Sequence, residues 1–203
     1  MKIICIGRNY RDYISAEGKP LPEEPVFFLK PDTSLLVNNR PFYIPAFSNE
    51  VRYEVELVLK ISKLGRHISE KFAHTYFNEI GIGIDFTAAD ALRESIKNGL
   101  PWEKAKAFDF SSPLGNFYDK NSFPDHNNIE FHLDLNGKTV QHGNSGNMVF
   151  SFTKIIAHVS KFFTLRTGDL IYTGTPAGVG NVSIGDKLEA WLGQEKALRL
   201  SVK

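Results

Sequence analysis

Two glutamates stand two positions apart in the stretch RYEVELVLK, residues 52–60. Polar and apolar side chains alternate along it, which predicts a β-strand with Glu54 and Glu56 on the same face. Two like charges so close together repel each other unless a cation lies between them. A third carboxylate, Asp85, ends the apolar run IGIGIDF, where an unpaired buried charge would be costly. Three converging carboxylates without histidine or cysteine would suit a hard cation, Mg²⁺ or Mn²⁺.

The same three residues also have an interpretation without a metal. Glu54 and Glu56 would then lie on a solvent-exposed strand face, and Asp85 would cap the helix that follows it. Strands with an E-x-E pattern are common, so the spacing alone leaves both possibilities open.

A glycine-rich stretch, GDLIYTGTPAGVG, occupies residues 168–180. Glycine permits close backbone approach, so the N–H groups here, with the hydroxyls of Thr173 and Thr175, could bind an anionic ligand. The alternative is a glycine-rich hairpin turn. Neither a G-K-S/T sequence nor a G-x-G-x-x-G fingerprint is present, which gives nucleotide binding little support.

Two lysines are placed next to apolar or aromatic residues: Lys30 in FFLKPD and Lys106 in WEKAKAFDF. Either ammonium could lie near a substrate carboxylate or a developing enolate, although most such lysines extend to solvent. The six histidines show no metal-ligand spacing, and no G-x-S-x-G sequence indicates a serine hydrolase.

The elements that must position these residues are mostly strands. Strands are predicted at residues 2–6, 25–30, 52–62 and 80–86, with several more from residue 129 onward. One helix is predicted from Ser69 to about Phe77. A second begins after a capping pair formed by Thr87 and Asp90, and another runs from Ser151 to about Phe163. Because strands outnumber helices and are closely spaced, the pattern predicts a β-rich α+β fold.

Composition narrows the class of protein further. Of 203 residues, 42% are apolar and 12% aromatic, which predicts one domain over residues 1–203. The formal charge of +1 favours a small-molecule partner over nucleic acid or a membrane surface. Cys5, the single cysteine, is expected as a buried strand thiol in a reducing cytoplasm, and we expect neither a signal peptide nor a membrane span.

Seven segments, taken in order, resemble the fumarylacetoacetate hydrolase family, in particular its small single-domain acylpyruvase, oxaloacetate decarboxylase and oxaloacetate tautomerase branch. The resemblance implies a β-rich fold with a roll-like core of mixed strands and a homodimer. It also implies one Mg²⁺ or Mn²⁺ ion held by Glu54, Glu56 and Asp85. The matching segments are IGRNYRDY, EPVFFLKP, YEVELVLKI, GIDFTAAD, GLPWEKAKAFD, the run from Gln141 to Met148, and GDLIYTGTPAGVG.

The resemblance also suggests roles for residues around such an ion. A 2-oxo or β-diketo acid would chelate the metal, and the cation would stabilise the enolate. Lys106 occupies the position of the family lysine that binds this negative charge. Arg8 and Thr175 match positions that contact the substrate carboxylate, and Lys30 matches a further substrate-site lysine.

The chain departs from the family pattern at two places. Hydrolytic members carry a water-activating histidine and glutamate after G-R-N-Y, where this chain has Tyr13 and Ala16; Glu17 is a candidate replacement, paired with Tyr13. Close relatives place an arginine and a glutamine for substrate where this chain has Ala89 and Leu92. Arg93, one helical turn beyond Ala89, is a candidate replacement for that arginine.

These features predict a metal-dependent enzyme that acts on a small 2-oxo or β-diketo acid through a metal-bound enolate. Isomerisation or decarboxylation is favoured, because the water-activating pair is missing. Two alternatives remain. The first is acylpyruvate-type C–C hydrolysis, carried out either by Tyr13 and Glu17 or by a metal-held water. The second is a pseudoenzyme that binds metal without turnover.

Overall fold

Fourteen strands and five helices make up the protein, and the computed structural model describes all residues, 1–203. The strands are β1 Ile3–Gly7, β2 Val26–Lys30, β3 Leu35–Leu36, β4 Val51–Tyr53, β5 Val55–Ile61, β6 Phe77–Ile84, β7 Thr87–Ala88, β8 Ser112–Asp119, β9 Glu130–Leu135, β10 Lys138–Asn144, β11 Leu170–Tyr172, β12 Gly180–Asn181, β13 Lys187–Leu192 and β14 Glu195–Ser201. The helices are α1 Arg11–Ala16, α2 Glu70–Ala73, α3 Ala89–Lys97, α4 Glu103–Lys106 and α5 Phe152–Phe162.

The largest sheet has seven strands in the order β2-β1-β11-β5-β6-β8-β3. The β1/β11 and β3/β8 pairs are parallel and the others antiparallel, so the sheet is mixed. Its two outermost strands, β2 and β3, are joined by residues 31–34 alone. Because so short a segment spans little distance, the sheet must curl until its ends approach each other. The predicted β-rich α+β fold with a curled mixed sheet is confirmed.

Both faces of this sheet are buried. Along β1, Ile4 and Ile6 belong to the larger hydrophobic core, which also contains residues of α5, whereas Ile3 and Cys5 belong to a smaller core. Alternation of side chains in a strand explains this division. The predicted burial of the Cys5 thiol in a strand is therefore confirmed.

Two smaller sheets complete the structure: a four-stranded sheet, β10-β9-β13-β14, and a three-stranded sheet, β12-β4-β7. The single strand predicted over residues 52–62 is wrong, since the chain breaks at Glu54. Residues before the break pair with β7 and β12, and residues after it pair with β6 and β11. Glu54 thus lies at the corner between two sheets.

The helix predictions had mixed outcomes. Ser151 caps α5 by accepting a hydrogen bond from the backbone N–H of Lys154, which confirms that helix. The helix expected to reach Phe77 ends at Ala73, because Phe77 already pairs with β5. Thr87 does not cap α3, as it lies in β7.

None of the helices is long and apolar enough to cross a membrane.

Candidate functional site

Neighbouring strands bring the three predicted metal ligands together. In the β5/β6 ladder Val55 lies opposite Ile84, so the residues just outside the ladder, Glu54 and Asp85, also adjoin each other. The Asp85 N–H donates to the backbone oxygen of Glu54 at 2.8 Å. One carboxylate oxygen from each of Glu54, Glu56 and Asp85 lies within 4.8 Å of the others. The carboxylates therefore form one cluster.

Lys106, in α4, places its ammonium group against this cluster. Nζ lies 3.0 Å from both carboxylate oxygens of Glu54 and 3.0 Å from Oδ2 of Asp85. It also donates to the hydroxyl of Thr87, which in turn donates to Oε1 of Glu54 at 2.6 Å. Burial alone would lower the pKa of Lys106, but the negative charges of Asp85 and Glu54 outweigh it and raise the pKa above its usual range. The ammonium is consequently charged at neutral pH.

Lys30 approaches Asp85 from the side away from the cavity described below. Its side chain is fully buried and ion-paired with Oδ1 of Asp85, and Nζ donates to the carbonyl and hydroxyl oxygens of Ser111 at 3.0 Å each. It does not line the cavity. The structure therefore gives this lysine a contact with the proposed metal ligand Asp85, and its predicted direct contact with substrate remains a prediction.

Glu56 is the most deeply buried glutamate of the cluster. Oε2 accepts a hydrogen bond from the backbone N–H of Gly174 at 2.7 Å. Burial first, and then the charges of Asp85 and Glu54, raise the pKa of Glu56 well above its usual range. Two ammonium groups are too few to neutralise three carboxylates, so the cluster favours either a proton on Glu56 or a further cation.

The donor set is suitable for a divalent ion. All three ligands are carboxylates, which hard cations such as Mg²⁺ and Mn²⁺ prefer. Glu54, Glu56 and Asp85 could therefore hold such an ion.

The glycine-rich stretch lies next to this cluster. Gly174 has a φ of +101°, and a Cβ there would lie 2.7 Å from Cβ of Asn9, so glycine is required. The buried side chain of Gln141 donates to Thr175 Oγ1 at 2.9 Å and accepts from the Val55 N–H at 2.9 Å. This amide joins the stretch to the strand that carries Glu56. No role for Gln141 was predicted, although it begins one of the segments that resemble the family.

A cavity of about 310 Å³ opens onto the carboxylates. Burial, followed by the charges of Glu54 and Glu17, raises the pKa of Tyr13 to about 12, so its phenol is protonated at neutral pH. No histidine lines the cavity. Among the predicted site residues, those lining it are Arg8, Tyr13, Glu17, Glu54, Glu56, Asp85, Arg93, Lys106 and Thr175.

Glu17 and Arg93, the candidate replacements for the missing family residues, lie at the outer part of this cavity. Glu17 follows the last residue of α1, and its carboxylate is ion-paired with Lys19 at 3.1 Å. Arg93 lies on exposed α3 and is ion-paired with Glu50. Both positions are consistent with the predicted roles, which remain predictions.

Besides Gln141, sequence reasoning missed two more side chains of the site. Thr87 was interpreted as a helix cap, and its contacts with Glu54 and Lys106 appear only in the folded chain. Arg52 also lines the cavity. Its position two residues before Glu54 was the available signal, since a strand would place both side chains on one face.

Comparisons with known proteins agree with this structure. Residues 2–203 match the model of the fumarylacetoacetate (FAA) hydrolase C-terminal family. The chain is 38% identical over 201 residues to the mitochondrial oxaloacetate tautomerase FAHD1 of Bos taurus, covering 99% of this chain and 91% of the relative. It is 40% identical over 188 residues to the oxaloacetate tautomerase YcgM of Escherichia coli strain K12, covering 92% of this chain and 86% of that protein.

A solved structure is also closely similar. The fumarylpyruvate hydrolase of Pseudomonas aeruginosa, crystallised in complex with Mn²⁺ and pyruvate, superposes with a TM-score of 0.93 and 31% identity. The alignment covers 100% of this chain and 89% of that one.

Proposed function

The chain belongs to the fumarylacetoacetate hydrolase family of enzymes, and on that premise we propose that it catalyses the keto–enol tautomerisation of oxaloacetate or a closely related 2-oxo acid. The observation that carries the proposal is the contact of the Lys106 ammonium with Glu54 and Asp85, in a cavity whose tyrosine is protonated. This arrangement suits enolate stabilisation and proton donation. Two relatives named oxaloacetate tautomerase, aligned over more than nine-tenths of this chain, support the choice of substrate.

The proposal includes a divalent ion, Mg²⁺ or Mn²⁺, held by Glu54, Glu56 and Asp85. When bound, the ion would supply Lewis acidity, which draws electron density from a keto oxygen and eases loss of the neighbouring proton. The Mn²⁺ in the related fumarylpyruvate hydrolase structure supports this choice of ion.

The chain's own cations would bind the substrate. Lys106 places a permanent positive charge beside the carboxylates, where negative charge develops on the substrate as the enolate forms. Arg8 and Thr175 line the same cavity and would donate hydrogen bonds to the carboxylate adjoining the keto group. Thr175 Oγ1 already accepts from Gln141, which leaves its own O–H to donate.

Tautomerisation also needs a proton to leave carbon and another to reach oxygen. We assign the first step to Glu17, which is the cavity carboxylate outside the buried cluster. Tyr13, as a protonated phenol, would donate to the enolate oxygen. The two side chains are close enough for the charge of Glu17 to raise the pKa of Tyr13.

C–C hydrolysis of an acylpyruvate is the second candidate function. The presence of Glu17 and Tyr13 in one cavity favours it, since Glu17 could accept a proton from water. The protonated state of Tyr13 and the absence of histidine from the cavity lining weigh against it. The homodimer and the cytoplasmic location expected from sequence remain predictions.

Ultraviolet absorbance tests the proposal. Purified, metal-stripped protein would be mixed with oxaloacetate or acetylpyruvate, before and after addition of Mg²⁺, with pyruvate measured in parallel. Metal-dependent loss of enol absorbance without pyruvate is expected of a tautomerase. Pyruvate from oxaloacetate would instead identify a decarboxylase, and rapid acetylpyruvate cleavage would identify a hydrolase. No change with either compound would contradict both candidate functions.

A further inference from the structure

The outer wall of the cavity is rich in positive charge. Its lining residues include Arg8, Lys19, Arg52 and Arg93, and Glu17 supplies the one lining carboxylate outside the buried cluster. Glu17 pairs with Lys19, and Arg52 and Arg93 share the one carboxylate of Glu50, so the three arginines lack a matching number of carboxylates. A cavity with negative charge at its base and surplus positive charge on its outer wall is complementary to a substrate with a second anionic group.

Arg52 is the arginine that the strands place beside the reacting centre. It lies directly opposite Thr87 in the antiparallel β4/β7 pair, and opposed residues project from the same face. The hydroxyl of Thr87 contacts both Glu54 and Lys106. The side chain of Arg52 therefore starts next to the groups that would contact the keto end of a substrate.

The Arg52 guanidinium is held in place from one side. Nε and Nη2 both donate to Oε1 of Glu50, with the Nε contact at 2.9 Å. The other oxygen of Glu50 accepts from Nη2 of Arg93. A guanidinium has five N–H groups, so the Nη1 edge of Arg52 is not used by this pairing and can bind a carboxylate with two parallel hydrogen bonds. Because Glu50 already orders the side chain, binding would lose less conformational freedom.

The neighbouring residues offer no equivalent donor at that place. Ala89 and Leu92, which also line the cavity, carry apolar side chains. The Arg93 side chain is 59% exposed on α3, compared with 40% for Arg52 on β4. Arg52 is thus the more enclosed of the two cations that share Glu50.

We propose that Arg52 is the specificity-determining residue of this enzyme and binds the distal carboxylate of a 2-oxo dicarboxylic acid. Glu50 acts as a positioning residue that aims the Arg52 guanidinium, and Arg93 holds Glu50. This inference rests on the proposed function, in that it takes a 2-oxo acid as the substrate.

Malate and lactate provide a matched pair of probes, because malate carries one more carboxylate and neither requires turnover. Their dissociation constants would be measured by calorimetry with Mg²⁺ present. Wild-type protein should bind malate about 10- to 100-fold more tightly than lactate, as expected for a bidentate charged contact. Arg52→Gln should reduce the preference for malate over lactate to about threefold or less. Arg52→Lys keeps the positive charge but not the planar pair of N–H donors, so it should retain only part of the preference.

Arg199→Gln is the matched control, since Arg199 is exposed on β14 outside the cavity lining. This variant should keep the malate preference of the wild type. Equal binding of the two ligands by wild type, or a preference that survives Arg52→Gln, would overturn the inference. A preference that requires Arg52 in a protein that leaves oxaloacetate unchanged would support the inference while contradicting the proposed reaction.

Discussion

The ammonium nitrogen of Lys106 lies 3.0 Å from Oδ2 of Asp85, in a contact that buries both charges. Lys30 contacts the other carboxylate oxygen of Asp85. Asp85 is therefore held between two lysines that come from different parts of the chain. One of them lines the cavity and the other is enclosed behind it. This division predicts that the two lysines will respond differently to the same substitution.

Lys106→Met should lower kcat/KM for oxaloacetate tautomerisation by about 100- to 1,000-fold, because a preorganised charge at the developing enolate is lost. Enol absorbance would measure the effect, and circular dichroism would confirm folding. Lys104→Met is the control, since Lys104 is exposed on the same helix and should change the rate less than twofold. A Lys106 variant with at least a third of wild-type activity would remove this lysine from the mechanism.

Lys30→Met should act mainly on stability. Removing one partner of a buried ion pair costs about 3 kcal/mol or more, and Asp85 would keep only Lys106. Urea unfolding followed by fluorescence would give the change in free energy of unfolding. Lys60→Met breaks the partly exposed Lys60–Glu79 pair and should cost less than about 1 kcal/mol. Equal effects of the two substitutions would contradict the stabilising role of Lys30.

Glu54→Ala should weaken Mn²⁺ binding by more than about 100-fold, since it removes one of three carboxylate ligands and part of the site's negative charge. Calorimetry with the metal-stripped protein would measure the affinity. Glu79→Ala, which removes a partly exposed carboxylate on β6, should leave the Mn²⁺ affinity unchanged. Undiminished Mn²⁺ affinity in the folded Glu54 variant would remove the site assignment.

The phenol of Tyr13 should lose its proton at a higher pH than that of an ordinary tyrosine. Its pKa is raised to about 12, so the phenol stays protonated through pH 10, where a free tyrosine is about half ionised. Since the folded-state pKa is above the unfolded one, the stability that Tyr13 contributes is lost as pH rises from about 10 toward 12. Tyrosinate absorbance of wild type minus Tyr13→Phe would isolate this group. A midpoint near pH 10 in the difference curve would contradict the assignment.

The three carboxylates show what could be predicted from sequence and what could not. Their types and spacing left a metal-binding cluster and a solvent-exposed strand face both open, and the family resemblance favoured the cluster. The structure shows the cluster, with Asp85 beside Glu54. The break at Glu54 was missed, since the alternation of polar and apolar residues continues through it without interruption. Only pairing of the preceding strand with β7 and β12 reveals the corner.

By itself the sequence determined the fold class, the family resemblance, the buried Cys5 and the helix that follows Ser151, because these depend on local pattern and on ordered motifs. The tertiary structure decided where Thr87, Gln141 and Arg52 lie relative to the site. Each of these contributes through a neighbour that lies 33 or more positions away in the chain. Such contacts arise from strand register and sheet curvature, which no short stretch of sequence encodes, since they depend on how the whole chain packs.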